Sequence, residues 1–173
     1  MEMNYCRRCG QQLSQINPDV FQCGNGHTLF ANSAPTAAIF ILNEQGNLLL
    51  SRRGINPGKG MLDTFGGFVD GAESAEAAAI RELQEEAGIT PDQYETLRYF
   101  YSAPATYEYQ GEDRNVLTLC FYTRIKPGVT LIAADDVASV VERDLHDITD
   151  DELFNDDIKT GLREFRNLLS SLQ

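Results

Sequence analysis

The sequence predicts an α+β fold, an α/β/α sandwich in which a largely β core with a mixed sheet carries helices against its faces, behind a small N-terminal ribbon. Three observations predict it. β-prone runs recur from Pro35 to Arg143, two segments carry helical signals, and three of the four cysteines crowd into the first 23 residues. At 173 residues the chain has room for one ordinary domain and a small appendage. A hydrophobic share of 42% against 23% charged is a globular composition and excludes wholesale disorder.

Taken in order, the first element is Cys6-x2-Cys9 followed by Cys23-x3-His27, in a Gly- and Asn-rich setting. A short Cys-x2-Cys turn aims two thiolates at one point, and the two pairs suit tetrahedral Zn2+. Such a segment is too small to fold on apolar burial, so the metal would supply its stability. Gly26 stands where a second Cys-x2-Cys would place its last thiolate, so His27 would serve from one residue further on. Ordinary cytosolic thiols beside a surface histidine are the alternative. We assign residues 1–33 to this ribbon and 34–173 to the main domain.

Pro35 to Leu42 and Asn47 to Arg53 read as a β-hairpin across Asn43-Glu44-Gln45-Gly46. Ile55 to Gly67 reads as loop, with Pro57, Gly58, Gly60 and Gly66-Gly67. Ser74 to Ala87 is the clearest helix, closed by Gly88 and then Pro91. Strand-like runs follow at 97–102, 107–109, 116–125 and 139–143, and Cys120 reads as an inert core thiol within the third. Ile158 to Leu172 closes the chain as an amphipathic helix.

Charge narrows the function classes. The net charge is −12, and residues 61–173 hold nine Lys/Arg against twenty-three Asp/Glu. An acidic chain without a basic stripe speaks against gripping a nucleic-acid backbone, although Arg7, Arg8, Arg52 and Arg53 could form a small basic spot. The acidic run Asp147 to Asp157 reads as a solvated surface, and His146 as part of an exposed turn. No apolar run reaches the ~18 residues of a membrane span, and the N-terminus lacks a signal-peptide core, so a cytoplasmic location is expected. Oligomeric state stays open, a homodimer included.

The helix from Ser74 carries the chemistry. At 100° per residue Ile80, Leu83 and Ala87 share one face, while Glu82, Glu85 and Glu86 share the opposite one. Like charges on adjacent turns repel, and a helix needing only solubility would alternate signs. Clustered carboxylates suit Mg2+ or Mn2+, and the Gly66-Gly67 loop could add a backbone carbonyl. An acidic exposed face is the alternative on spacing alone.

The stretch from Gly67 to Ile89 resembles the Nudix box, Gly-x5-Glu-x7-Arg-Glu-U-x-Glu-Glu-x-Gly-U, where U is a bulky aliphatic. Gly67, Glu73, Arg81, Glu82, Leu83, Glu85, Glu86, Gly88 and Ile89 meet every fixed position. Phe65 replaces a common proline before the double glycine, and Asp70 a frequent glutamate after it. The resemblance implies the Nudix fold and hydrolysis of a diphosphate bond in a nucleoside diphosphate derivative. It makes Glu82, Glu85 and Glu86 the metal ligands with the Gly67 carbonyl, and Glu73 with Arg81 a brace between loop and helix. It leaves the general base open among the box carboxylates and Glu108, Glu112 and Asp113.

A ribbon followed by this box is similar to the layout of NADH pyrophosphatases and of smaller ADP-ribose pyrophosphatases in the family. The chain has no Trp, so the Trp-containing run of the NADH type is missing, while Pro104 sits fifteen residues after Ile89, a spacing associated with ADP-ribose hydrolysis. ADP-ribose is therefore the favoured substrate, ahead of NADH/NAD and nucleoside triphosphates. Arg52 and Arg53 are candidate diphosphate clamps. Tyr101 and Pro104 are candidate contacts to the nucleoside. Another class of reading is a non-catalytic ADP-ribose sensor, against which the complete box argues.

Overall fold

The computed structural model describes residues 3–109 and 111–172. The first two residues of the predicted ribbon segment lie outside them. The ribbon is an antiparallel sheet of β1 (Leu13–Asn17), β2 (Val20–Cys23) and β3 (Thr28–Phe30). Cys6, Leu13, Cys23 and Leu29 form its small buried core.

The main sheet is mixed. Its strands are β4 (Ala34–Leu42), β5 (Leu48–Arg53), β6 (Leu62–Asp63), β7 (Phe65–Phe68), β8 (Arg98–Tyr109), β9 (Glu112–Arg124) and β10 (Val137–Arg143). They run in the order β10-β5-β4-β9-β8, with β6 on β5 and β7 on β4. β4 and β9 are parallel and the other pairs antiparallel. Strand alternation builds the sandwich. Ala37, Ile39 and Ile41 of β4 pack toward α1 (Ala75–Ala87), whereas Ala38, Phe40 and Leu42 pack toward α2 (Asp156–Ser171).

Both helices are capped by local chemistry. Ser74 accepts a hydrogen bond from the Ala77 N–H, and Gly88 closes α1 in the left-handed conformation at φ 66°. Asn155 caps α2 through the Asp156 N–H.

Several expectations are corrected. Part of the Ile55–Gly67 loop is sheet, because Gly66 and Gly67 pair with Ala38 and Ala37. Glycine hides this strand from propensity, yet the pairing demands it: at Gly66 (φ 144°) a Cβ would stand 2.0 Å from the Ala37 carbonyl oxygen. The runs 97–102 and 107–109 are one long strand that passes through Pro104. That strand lies at the sheet edge, where a residue lacking an N–H is tolerated. On α1 the buried residues are Ala78, Ala79, Glu82, Leu83, Glu86 and Ala87, so Ile80 leaves the predicted apolar face for solvent and two of the carboxylates expected opposite it turn inward, because the glycine-lined β7 lets the helix dock closely. Asp157 is buried rather than solvated, drawn inward with the first turn of α2.

Candidate active site

β7 delivers the double glycine beneath α1, and the box side chains meet there. Glu82 and Glu86 are buried on the β7 side of the helix, while Glu85 is half-exposed. A Cβ on Gly67 would lie 2.5 Å from Glu82 Oε1, so glycine is what allows the carboxylate to close on the strand. Glu86 Oε2 accepts a hydrogen bond from the Gly66 N–H at 2.9 Å.

Arg81 holds this group together. Its guanidinium donates to Glu73 Oε1 (2.6 Å), Glu82 Oε1 (2.8 Å), Glu85 Oε2 (3.0 Å) and the Phe68 carbonyl (3.0 Å). Glu73 also accepts from the Asp70 N–H, which ties the loop before α1 to the helix. The Arg81 contact, helped by that N–H, holds the Glu73 carboxyl below its usual range. One guanidinium thus joins strand, loop and helix, which is more than an i,i+4 pair with Glu85 would do.

Glu86 has the opposite problem. Burial, followed by the charges of Glu82, Asp63 and Asp136, pushes its carboxyl up to about 8 despite the Gly66 N–H. Glu82 is also raised, first by burial and then by Glu85 and Asp135, with Arg81 opposing. Carboxylate oxygens are donors of the hard kind that Mg2+ or Mn2+ takes, and here Arg81 bridges those of Glu82 and Glu85. Glu82, Glu85 and Glu86 are the residues that could hold such an ion.

A cavity of about 550 Å³ opens beside Gly66, Gly67 and Glu86. Arg53 lines it, donating to Asp63 Oδ2 (2.7 Å) and the Pro57 carbonyl (2.8 Å) and stacking over Phe154 at 4.0 Å. Asp63 is raised to about 6, because burial outweighs its ion pair with Arg53. Phe68, Tyr107 and Phe154 meet edge-to-face along another wall.

The other predicted residues are placed as follows. Arg52 bonds the Gly60 carbonyl and is not among the residues lining the cavity. Tyr101 packs against the α2-side core, and Pro104 is exposed on β8. Glu108 lines the cavity, whereas Glu112 and Asp113 begin β9. Sequence reasoning missed Asp63, Asp136, Asp157 and Phe154, all of which line the cavity. One signal could have found Phe154: it is an aromatic residue inside an acidic run.

A second cluster lies in the ribbon. Among the described residues, Cys6, Cys9, Cys23 and His27 are the one group of metal-ligating type whose donor atoms all fall within 4.8 Å of one another. Cys6 Sγ lies 3.6 Å from His27 Nδ1, and Cys9 Sγ lies 3.7 Å from Cys23 Sγ. Burial opposes ionisation of Cys6, but the Arg8 and Cys9 N–H groups with the Cys9 and His27 side chains outweigh it and bring the thiol down to about 6. Cys120 differs, since burial pushes it up to about 12.

The NUDIX domain matches residues 32–163. The ADP-ribose pyrophosphatase of Methanocaldococcus jannaschii is 32% identical over 108 residues, 62% of this chain and 60% of that protein. The NAD-capped RNA hydrolase NudC of Haemophilus influenzae is 31% identical over 103 residues, 58% of this chain and 38% of that protein. The chain thus spans less than two thirds of either curated relative. A solved NUDIX hydrolase from Nitrosomonas europaea shares the fold, with a TM-score of 0.68 at 17% identity, covering 95% of this chain and 91% of that one.

Proposed function

The chain belongs to the NUDIX domain family, and from that premise we propose that it is a divalent-cation-dependent hydrolase that cuts the diphosphate bond of a nucleoside diphosphate derivative, ADP-ribose before NADH. The carrying observation is the junction of Gly66-Gly67 with Glu82 and Glu86 at the mouth of a nucleotide-sized cavity. Similarity to a protein named ADP-ribose pyrophosphatase supports the substrate order. Residues 1–33 act as a zinc-held ribbon and 34–173 as the hydrolase domain.

Glu82, Glu85 and Glu86, with the Gly67 carbonyl, would hold Mg2+ or Mn2+, which would supply charge neutralisation for phosphate oxygens and a lower pKa for an attacking water. Glu73 and Arg81 keep those carboxylates in position by bridging loop, strand and helix. Arg53 supplies a cation on the cavity wall for the diphosphate, oriented by Asp63 and the Phe154 ring. A carboxylate must take the proton of the water. Asp136 and Glu108 join the box residues as candidates because both line the cavity.

A panel of nucleotides with Mg2+ and Mn2+ tests the reading. ADP-ribose should give AMP and ribose 5-phosphate with kcat/KM at least about tenfold above NADH, a gap of ~1.4 kcal/mol. NADH or a nucleoside triphosphate ahead by that margin would replace the substrate. Failure to hydrolyse any diphosphate would favour a sensor.

A further inference from the structure

Strand alternation gives β9 two faces, and Thr118, Val116 and Arg114 share one of them. Thr118 and Val116 line the 550 Å³ cavity, and Arg114 continues the same row outward. Its register partner on β8 is Tyr107, a wall of the cavity. Its guanidinium carbon stands 5.3 Å from the ring centroid of Tyr109, another wall, and Tyr109 meets Phe68 edge-to-face. Arg114 therefore stands at the rim, on a platform that the cavity itself supplies.

Arg114 is held lightly. Its ion pair with Glu112 is 3.5 Å long, between side chains 41% and 32% exposed, so a better acceptor can replace it at little loss. Its Nε is buried without a hydrogen-bond partner, so the accessible surface lies on the stem and the terminal nitrogens. Arg53 differs, being committed to Asp63 Oδ2 and the Pro57 carbonyl. Among the described residues Arg53 is the one cation lining the cavity, against five carboxylates. An anion beyond the diphosphate has no receiver inside, and Arg114 is the guanidinium at the edge that can take one. Gly67 is level with Leu119 through Ala37, and Arg114 lies five residues further along β9, ~16 Å away. With the diphosphate held at Gly66-Gly67, Arg114 meets the sugar behind it rather than the diphosphate itself.

We propose that Arg114, carried on Tyr109, is an anion subsite for a phosphomonoester on the ligand's ribose, so that the cavity takes 2′- or 3′-phosphorylated nucleoside diphosphate derivatives ahead of their unphosphorylated counterparts. This rests on the reading of the cavity as a nucleotide site and extends its substrate class. The planar guanidinium fork matches two phosphate oxygens, and the ring beneath it fixes its plane. A bare ribose presents only hydroxyls there, and a neutral hydroxyl gains less from a full positive charge than a phosphate does. Glu112 competes for the same guanidinium. Arg114 acts on selection and takes no part in cutting the diphosphate.

The experiment is calorimetric binding of AMP, adenosine 2′,5′-bisphosphate and adenosine 3′,5′-bisphosphate to the whole chain. None of the three holds a diphosphate bond, so nothing is cut during the titration. At least one bisphosphate should bind ~5-fold or more tighter than AMP, and the tighter one names the hydroxyl that carries the phosphate. Arg114→Gln should bring that ratio under ~2-fold and leave AMP within ~2-fold of the wild type, whereas a merely structural role would weaken both ligands alike. Glu112→Gln removes the competing carboxylate and should raise the ratio by ~2-fold or more, which keeps the test in force if the Arg114 variant does not fold. The inference is overturned if neither bisphosphate reaches ~5-fold over AMP, if a folded Arg114→Gln keeps a ratio above ~2-fold or loses AMP binding as well, or if Glu112→Gln does not raise the ratio. Hydrolysis is scored apart. A chain that prefers a bisphosphate yet cuts no diphosphate keeps this inference and loses the enzymatic reading, and the converse pattern does the reverse.

Discussion

Glu86 carries the heaviest electrostatic load on α1, because burial and three acidic neighbours oppose its charge while one backbone N–H supports it. Glu86→Gln keeps an oxygen for the Gly66 N–H and removes the charge. Turnover at saturating Mg2+ should fall by ~100-fold or more, with thermal stability unchanged or slightly raised. Near-normal turnover in a folded Glu86→Gln protein would remove Glu86 from the metal-holding set. Asp63 gives a pH signature instead. Its carboxyl titrates near 6 in the folded chain against an ordinary 3.8, so folding takes up a proton between those values. Stability from this group is present below about pH 4 and is lost as pH rises through about 6, by on the order of 2–3 kcal/mol. In urea melts from pH 4 to 7, Asp63→Asn should flatten that slope relative to the wild type. Identical slopes would show that Asp63 is ionised throughout.

The joint between β7 and α1 separates a glycine needed by the fold from one needed by the site. At Gly66 an added Cβ meets the backbone of Ala37, which cannot move without breaking the β4–β7 pairing. Gly66→Ala should cost ~3 kcal/mol or more and lower soluble yield. At Gly67 the added atom meets the end of the Glu82 side chain, which can swing away. Gly67→Ala should cost less than ~1.5 kcal/mol yet lose at least ~10-fold in turnover, because Glu82 leaves its place. Equal stability losses in the two variants, read by thermal melts beside initial rates, would refute the distinction. The same joint shows what the sequence could and could not disclose. α1, its caps and its carboxylates were legible because capping and 3.6-residue periodicity are local. β7 was not, since glycine has poor strand propensity and its pairing with β4 depends on residues far away in sequence. Ile80 misled for the same reason, as its predicted core face goes to Ala78 and Ala79 against the bare strand. Asp63, Asp136 and Asp157 become neighbours of Glu86 or of its cavity only through the tertiary fold, and no spacing rule connects them.

At the scale of the whole chain, two units draw their stability from different sources. The main domain has two apolar clusters, one on each face of its sheet, and needs no metal to account for its core. The ribbon has four small buried residues, two of which are the cysteines Cys6 and Cys23. That is little apolar surface for three short strands, which supports the proposal that a metal held by its Cys/His set stabilises it. The Cys6-x2-Cys9 turn and Cys23-x3-His27 pointed to that set in sequence, and the hairpin of β2 and β3 brings His27 beside Cys6 despite the one-residue displacement. The apolar cluster of the ribbon is separate from the two clusters of the main domain, and whether one can loosen without the other is a matter for measurement. Freshly purified protein should therefore contain about one equivalent of zinc. Treatment with a strong chelator should raise hydrogen exchange across residues 3–30 while the strands of the main sheet stay protected. Adding back Mg2+ alone should then return diphosphate hydrolysis with the ribbon still loose, because the carboxylates of α1 stand apart from the thiolates. Zinc-free protein with a protected ribbon would leave Cys6, Cys9 and Cys23 as ordinary thiols. Hydrolysis recovered only with zinc would mean that the ribbon supports the active site through the fold, against the independence its small separate core implies.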